Sequence, residues 1–353
     1  MKRVFLTILL INIFATISES IAQAPVNPDI SFIGDMRLFG YRNALSDEYY
    51  NKLKLNFEEL EIAGSGYLNP YSRADVTLGI GGTGGEIDIE EAFATLVRGL
   101  PLNLQVKAGQ YLVDFGMLNT QHPHQWSWIQ RPLMHQWFFG EEGLKDIGID
   151  VTTLIPVGNN ALTISANLLQ GDFLLGEDAG DIDHNMGGSG RISLFSSVGA
   201  TSSLEIGVSG LYGQSEPDSN RWATMGDFDF KYKWRPDVYH SLVIVGESMV
   251  GSRKIDGVNG EETNSSFGAF SAVDYQFRRR YNAGAFVDYS QMPDDNSLYQ
   301  IGYGAFAGFS LAEETYRISL MLRQDDGKDF EKPFQTVILQ LLWSLGPHKP
   351  HQF

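Results

Sequence analysis

The ten residues Met225–Trp234 read MGDFDFKYKW. Rings at Phe228, Phe230, Tyr232 and Trp234 alternate with charges at Asp227, Asp229, Lys231 and Lys233. A period of two fits an extended strand, whose side chains point alternately to opposite faces. One face is aromatic and the other ionic, so the strand divides an oily surrounding from a wet one.

The same pattern recurs along the chain. Strands are predicted near 30–39, 54–67, 73–80, 86–97, 103–109, 146–155, 161–169, 189–195, 202–212, 222–234, 239–247, 266–277, 281–289, 298–311, 315–323 and 334–345. That makes about sixteen, within a range of fourteen to eighteen, and an even number suits a bacterial outer-membrane barrel. Tyr316, Ile318, Leu320 and Leu322 form one clean apolar row, with Arg317, Ser319, Met321 and Arg323 between them.

Connections alternate between short ones, such as 68–72, 156–160 and 278–280, and longer ones, such as 40–53, 110–145 and 248–265. Only GGTGG at 81–85 breaks that alternation. Barrels of this class have short periplasmic turns and longer external loops. A soluble β-sandwich also alternates apolar and polar residues. Here, however, aromatics gather at strand ends, where girdle residues meet lipid headgroups. The expected fold is therefore all-β, an antiparallel transmembrane β-barrel of about 16 strands. Its rings and Ile, Leu and Val face lipid, and its charges face a wet interior. Closure follows, because an open sheet edge in hydrocarbon leaves backbone groups unpaired.

The chain opens MKRVFLTILLINIFATISESIAQAP, with Lys2 and Arg3 ahead of an apolar run and small residues near Ala22. This reads as a secretory leader, 1–22, ahead of a single barrel domain, 23–353. Removing it takes Lys2, Arg3 and Glu19, and the net charge goes from −17 to −18. So acidic a chain is a poor nucleic-acid partner. With no cysteine it is not a disulfide-stapled scaffold.

Residues expected to line the channel are Asp35, Arg37, Glu59, Glu61, Asp75, Lys107, Asp227, Asp229, Lys231, Lys233, Arg317 and Arg323, with Asp88, Glu90 and Asp288 beside them. Mixed signs on a wall tune selectivity; the plainer reading is that they pair with one another. The longest loop, 110–145, holds Trp126, Trp128, Trp137, Phe138 and Phe139. It either folds into the lumen, which is the expectation, or lies against the rim or a neighbouring subunit. His122, His124 and His135 in that loop are weak metal candidates, because their spacing is not diagnostic. The carboxylates of 172–183 lack the order of a helix–loop–helix calcium site. Gly79–Gly85 lacks the ending of a phosphate loop and reads as a bend. No nucleophile motif has its context, so neither catalysis nor a cofactor is expected.

Leader, sixteen amphipathic strands, long third loop and terminal Phe353 resemble Gram-negative outer-membrane porins, loosely the phosphate-selective porin-like group of Bacteroidetes-type bacteria. The resemblance implies a diffusion channel for small solutes in the outer membrane, monomeric or a homotrimer. It also implies contact with the lipid bilayer and lipopolysaccharide, and insertion by the outer-membrane assembly machinery. Pro347 and Pro350 depart from the family's aromatic-ended last strand. The acidic total leaves phosphate selectivity unsupported. The alternative is a ligand-specific transporter or binding barrel, including one like a TonB-dependent receptor lacking its plug.

Overall fold

The computed structural model describes residues 28–42, 52–82, 84–174, 185–215, 221–257, 260–311, 315–328 and 333–347. The leader, Phe353 and most carboxylates of 172–183 lie outside them.

Sixteen strands close into one antiparallel barrel. They are β1 (Asp29–Arg42), β2 (Leu53–Asn69), β3 (Ser72–Gly81), β4 (Ile87–Leu96), β5 (Leu104–Leu112), β6 (Lys145–Val157), β7 (Asn160–Leu169) and β8 (Gly187–Val198). Then come β9 (Ser202–Gln214), β10 (Trp222–Trp234), β11 (Ser241–Gly257), β12 (Gly260–Phe277), β13 (Tyr281–Gln291), β14 (Tyr299–Ser310), β15 (Tyr316–Gly327) and β16 (Phe334–Leu345). Each pairs with its sequence neighbour, and β1 pairs with β16, from Phe32↔Leu345 to Arg42↔Gln335. Among the described residues, no helix is long and apolar enough to cross a membrane.

The predicted alternation sorts the faces. In β10, Phe228 is 47% exposed on the outer surface, whereas Asp227 and Asp229 are buried inside. Leu320 and Leu322 of β15 face out, while Arg323 and Asp325 face in. Such a belt of exposed large apolar residues is what a lipid-facing surface requires.

Two expectations are corrected. The segment 248–265 is not a loop: β11 and β12 stay paired through Ser252↔Ser265 and Asp256↔Glu261 to Gly257↔Gly260. Beyond the lipid belt a strand needs no apolar face, so its polar sequence carries no period-two signal. Nor is the interior wet throughout. Met225, Met249, Phe270, Phe286, Phe306, Met321 and Ile338 all point inward and are buried.

The closing seam depends on a small residue. Gly34 sits on the outer face opposite Trp343, and the indole lies where a Cβ would project. An aromatic ring covering a strand glycine shields backbone and fixes register. Gly34→Val is expected to push Trp343 off the seam. The cost should be about 1–3 kcal/mol, as for other overpacked sites, read as a lower sample-heating temperature at which the compact band disappears from detergent gels.

Candidate functional site

The long segment between β5 and β6 folds into the barrel. Its neck is closed by Asn119, which is fully buried: the side-chain amide donates to Val113 O and Leu144 O, both at 2.8 Å, and its oxygen accepts from Leu144 N. The one α-helix in this segment, α1 (Leu133–Phe139), lies directly on β12 and β13. Gly268 makes that approach feasible, since a Cβ there would collide with Met134.

Two carboxylates on the far wall hold the segment by its backbone. Glu247 accepts from Met117 N and Leu118 N, each at 2.9 Å, and pairs with His135 Nε2 at 2.6 Å. Asp288 accepts from Leu133 N at 3.0 Å. Ser127 donates to Asp274 at 2.6 Å, and Arg317 donates to His124 O at 2.6 Å. Between these anchors the rings pack. Trp126 stacks on Trp128 at 6.0 Å, and Trp128 meets Phe270 at 4.9 Å. The apolar half of the interior is thus filled by the loop's own aromatics. Each ring takes roughly 150–250 Å² out of water.

What stays open is the other side. A cavity of about 460 Å³ lies between the inward segment and the β1–β2 wall. Asp35, Glu58, Glu59, Glu61 and Glu141 border it, against Arg37, Arg131 and His124. Arg37 is committed to Asp35 at 2.7 Å. Arg131 is held by Glu141 O and lies over the Trp126 ring. Burial pulls the Arg131 guanidinium down to a pKa of about 10, against the pull of Glu90, Glu142 and Glu247.

The acidic wall rests on two β-bulges. Between Asp35↔Glu59 and Met36↔Phe57 the register skips a residue, so Glu58 and Glu59 both turn inward. The same happens between Thr77↔Glu91 and Leu78↔Ile89, which turns Glu90 and Glu91 inward together. A bulge sets two residues against one and re-aims a side chain. Strict alternation gives Glu59 and Glu90 but misses Glu58 and Glu91. The visible signal is the Glu-Glu pair that each bulge carries, in NFEELEI and DIEEAF.

The other expected residues fall into distinct groups. Asp35, Arg37, Glu59 and Glu61 border the cavity. Arg317 and Asp288 anchor the segment, and Asp288 also pairs with Arg323 at 3.2 Å. Asp75 pairs with Arg73, Asp229 with Arg191, and Asp88 with Lys145. Lys107 lies over the Tyr111 ring at 4.1 Å. Asp227 is buried close to Asp229, and Lys231 and Lys233 are half-buried toward the short-turn end. Nothing in the sequence pattern marks Glu247, Arg191 or Arg131.

The histidines separate. His135 is buried on Glu247, while His122 and His124 stack at 5.7 Å beside β2 and β4. Burial pulls the His122 imidazolium down, but Glu90, Glu91 and Glu61 around it reverse this and raise its pKa to about 10.

No family model matches the chain. An uncharacterized protein of Aquifex aeolicus (strain VF5) is 28% identical over 340 residues, covering 85% of this chain and 70% of that one. An anion-selective porin from Comamonas acidovorans superposes with a TM-score of 0.62 at 10% identity, over 91% of this chain and all of the porin. A loop-deletion mutant of OmpT, an outer membrane protein of Vibrio cholerae, gives 0.58 at 8% identity over 91% and 100%. The outer membrane channel DcaP of Acinetobacter baumannii gives 0.57 at 10% identity over 92% and 99%. The fold is that of bacterial outer-membrane porins. At these identities the likeness speaks for architecture, and it accords with an outer-membrane setting in a Gram-negative cell.

Proposed function

We propose that this chain is a passive channel for small hydrophilic solutes in the outer membrane of a Gram-negative bacterium, and that its passage favours cations. The observation carrying this reading is the acidic cavity between the inward segment and the β1–β2 wall. Low-dielectric walls of one sign focus the field and enrich counter-ions. Five carboxyl groups there face two guanidiniums and His124, and with Arg37 and Asp35 paired, four carboxyl groups remain against Arg131 and His124. The Comamonas porin is described as anion-selective; the wall here argues for the opposite preference. It equally argues against phosphate as solute, so the narrower likeness to the phosphate-selective group rests on strand pattern alone. Export by a cleaved leader, 1–22, insertion by the assembly machinery, contact with lipopolysaccharide and a homotrimeric state complete the reading.

A second reading has one observation in its favour. A cavity of about 460 Å³ falls within the range of small-ligand pockets, as a ligand-specific transporter would have.

Refolded protein in planar bilayers decides between them. The channel reading expects steady ohmic steps and, in a KCl gradient, a reversal potential of the sign set by cations. Absence of steady current defeats it. Liposome swelling that saturates with one sugar, instead of falling smoothly with solute size, favours the second reading.

A further inference from the structure

Three groups from separate parts of the chain meet beside the cavity. His122 comes from the inward segment, Glu61 from β2 and Glu90 from β4. Their imidazole nitrogen and carboxylate oxygens all lie within 4.8 Å of one another. His122 Nδ1 is 3.0 Å from Glu90 Oε2 and 3.5 Å from Glu61 Oε2. Two ligands of a tetrahedral zinc ion, with bonds of ~2.1 Å, stand about 3.4 Å apart. His124 adds a second imidazole, its Nδ1 at 3.1 Å from the same Glu61 oxygen.

Two further observations point to a cation. The other nitrogen of His122, Nε2, lies 3.4 Å from the Glu91 carboxylate. A carboxylate behind a histidine is the arrangement that fixes ring orientation at metal centres and makes the imidazole a better ligand. The carboxyl groups of Glu59 and Glu90 also meet over Gly79, where a Cβ would crowd both. Four carboxylates, Glu59, Glu61, Glu90 and Glu91, therefore crowd two imidazoles. Even with both rings protonated, negative charge is left over in a half-buried place.

We propose that His122, Glu61 and Glu90 form a site for a divalent transition-metal ion of the zinc class, with His124 or water in the fourth position. Mixed imidazole and carboxylate donors suit zinc better than the all-oxygen shell calcium takes. The bound ion replaces an imidazole proton and staples the inward segment to β2 and β4. That makes a second fastening, on the side of the passage opposite Glu247.

The test uses the full barrel in detergent, freed of metal by chelator and titrated calorimetrically with Zn²⁺. Binding is read on the dissolved protein, so its outcome is independent of whether the barrel conducts. One equivalent is expected to bind, and Co²⁺ in its place should give the strong visible bands of a tetrahedral site. His122→Ala and Glu61→Gln should each weaken binding at least about tenfold and abolish those bands. His240→Ala, in a surface turn where His240 pairs with Asp237, should change neither. Folding of each variant is checked by its compact band on unheated gels, and His122→Asn replaces His122→Ala if that variant fails. Absence of stoichiometric binding by the unaltered protein overturns the proposal. So does binding that persists undiminished in folded His122 and Glu61 variants.

Discussion

Replacing Glu247 with alanine is expected to raise single-channel conductance at least twofold and to make the current noisy. Glu247 is buried on the far wall, and its two oxygens take Met117 N, Leu118 N and the His135 ring. Hydrogen bonds to a charged group contribute about 1.5–3 kcal/mol each. Losing three removes enough to shift a two-state loop strongly toward release, since about 5.5 kcal/mol spans 1:99 to 99:1. The released segment takes Trp126, Trp128 and Phe138 away from the wall and leaves more of the lumen to water. Adding Asp288→Ala, which frees Leu133 N, should deepen the effect. Unchanged open-state current in both variants would show that ring packing alone holds the segment, and would remove Glu247 as its clamp.

The second large effect concerns ion preference. Glu58→Gln and Glu141→Gln together remove two of the five carboxylates around the cavity and keep side-chain volume. Wall charges set potentials of several kT in a narrow passage. The ratio of cation to anion permeability, read from reversal potentials, should fall by roughly threefold to tenfold, with conductance changed much less. The effect should be largest at low ionic strength, where the Debye length exceeds about 10 Å. A ratio that stays put would mean that ions take another route. His122, Glu61 and Glu90 are left intact, so metal binding should survive in this variant.

Much of the fold was legible because lipid imposes a strict rule on each strand. β10 and β16 begin and end where alternation says, at Trp222–Trp234 and Phe334–Leu345. The rule lapses wherever its cause is absent. β11 and β12 run on past the belt with polar residues on both faces, so Ser252 and Asn264 look like loop. Met321 and Phe306 point inward against an aromatic loop, so their polarity matches no wet lumen. Glu58 and Glu91 depend on bulges, which shift parity by one residue and leave only a doubled glutamate as a trace. The anchors were illegible for another reason. Glu247 is one carboxylate among many until the fold sets it against Met117 and His135, more than a hundred residues away in the chain. Even His122 and His124, noted for their chemistry, acquire acidic neighbours only when the segment turns inward.

The off-centre position of the open space has a consequence for how such a protein can change. In the proposed channel, sorting of solutes would fall mainly to Asp35, Glu58 and Glu59 on the first hairpin, while Glu247 and Asp288 grip the filler from the later strands. Lineages could then re-charge their gateway through a handful of early codons without loosening that later grip. Two barrels of one shape can prefer opposite ions.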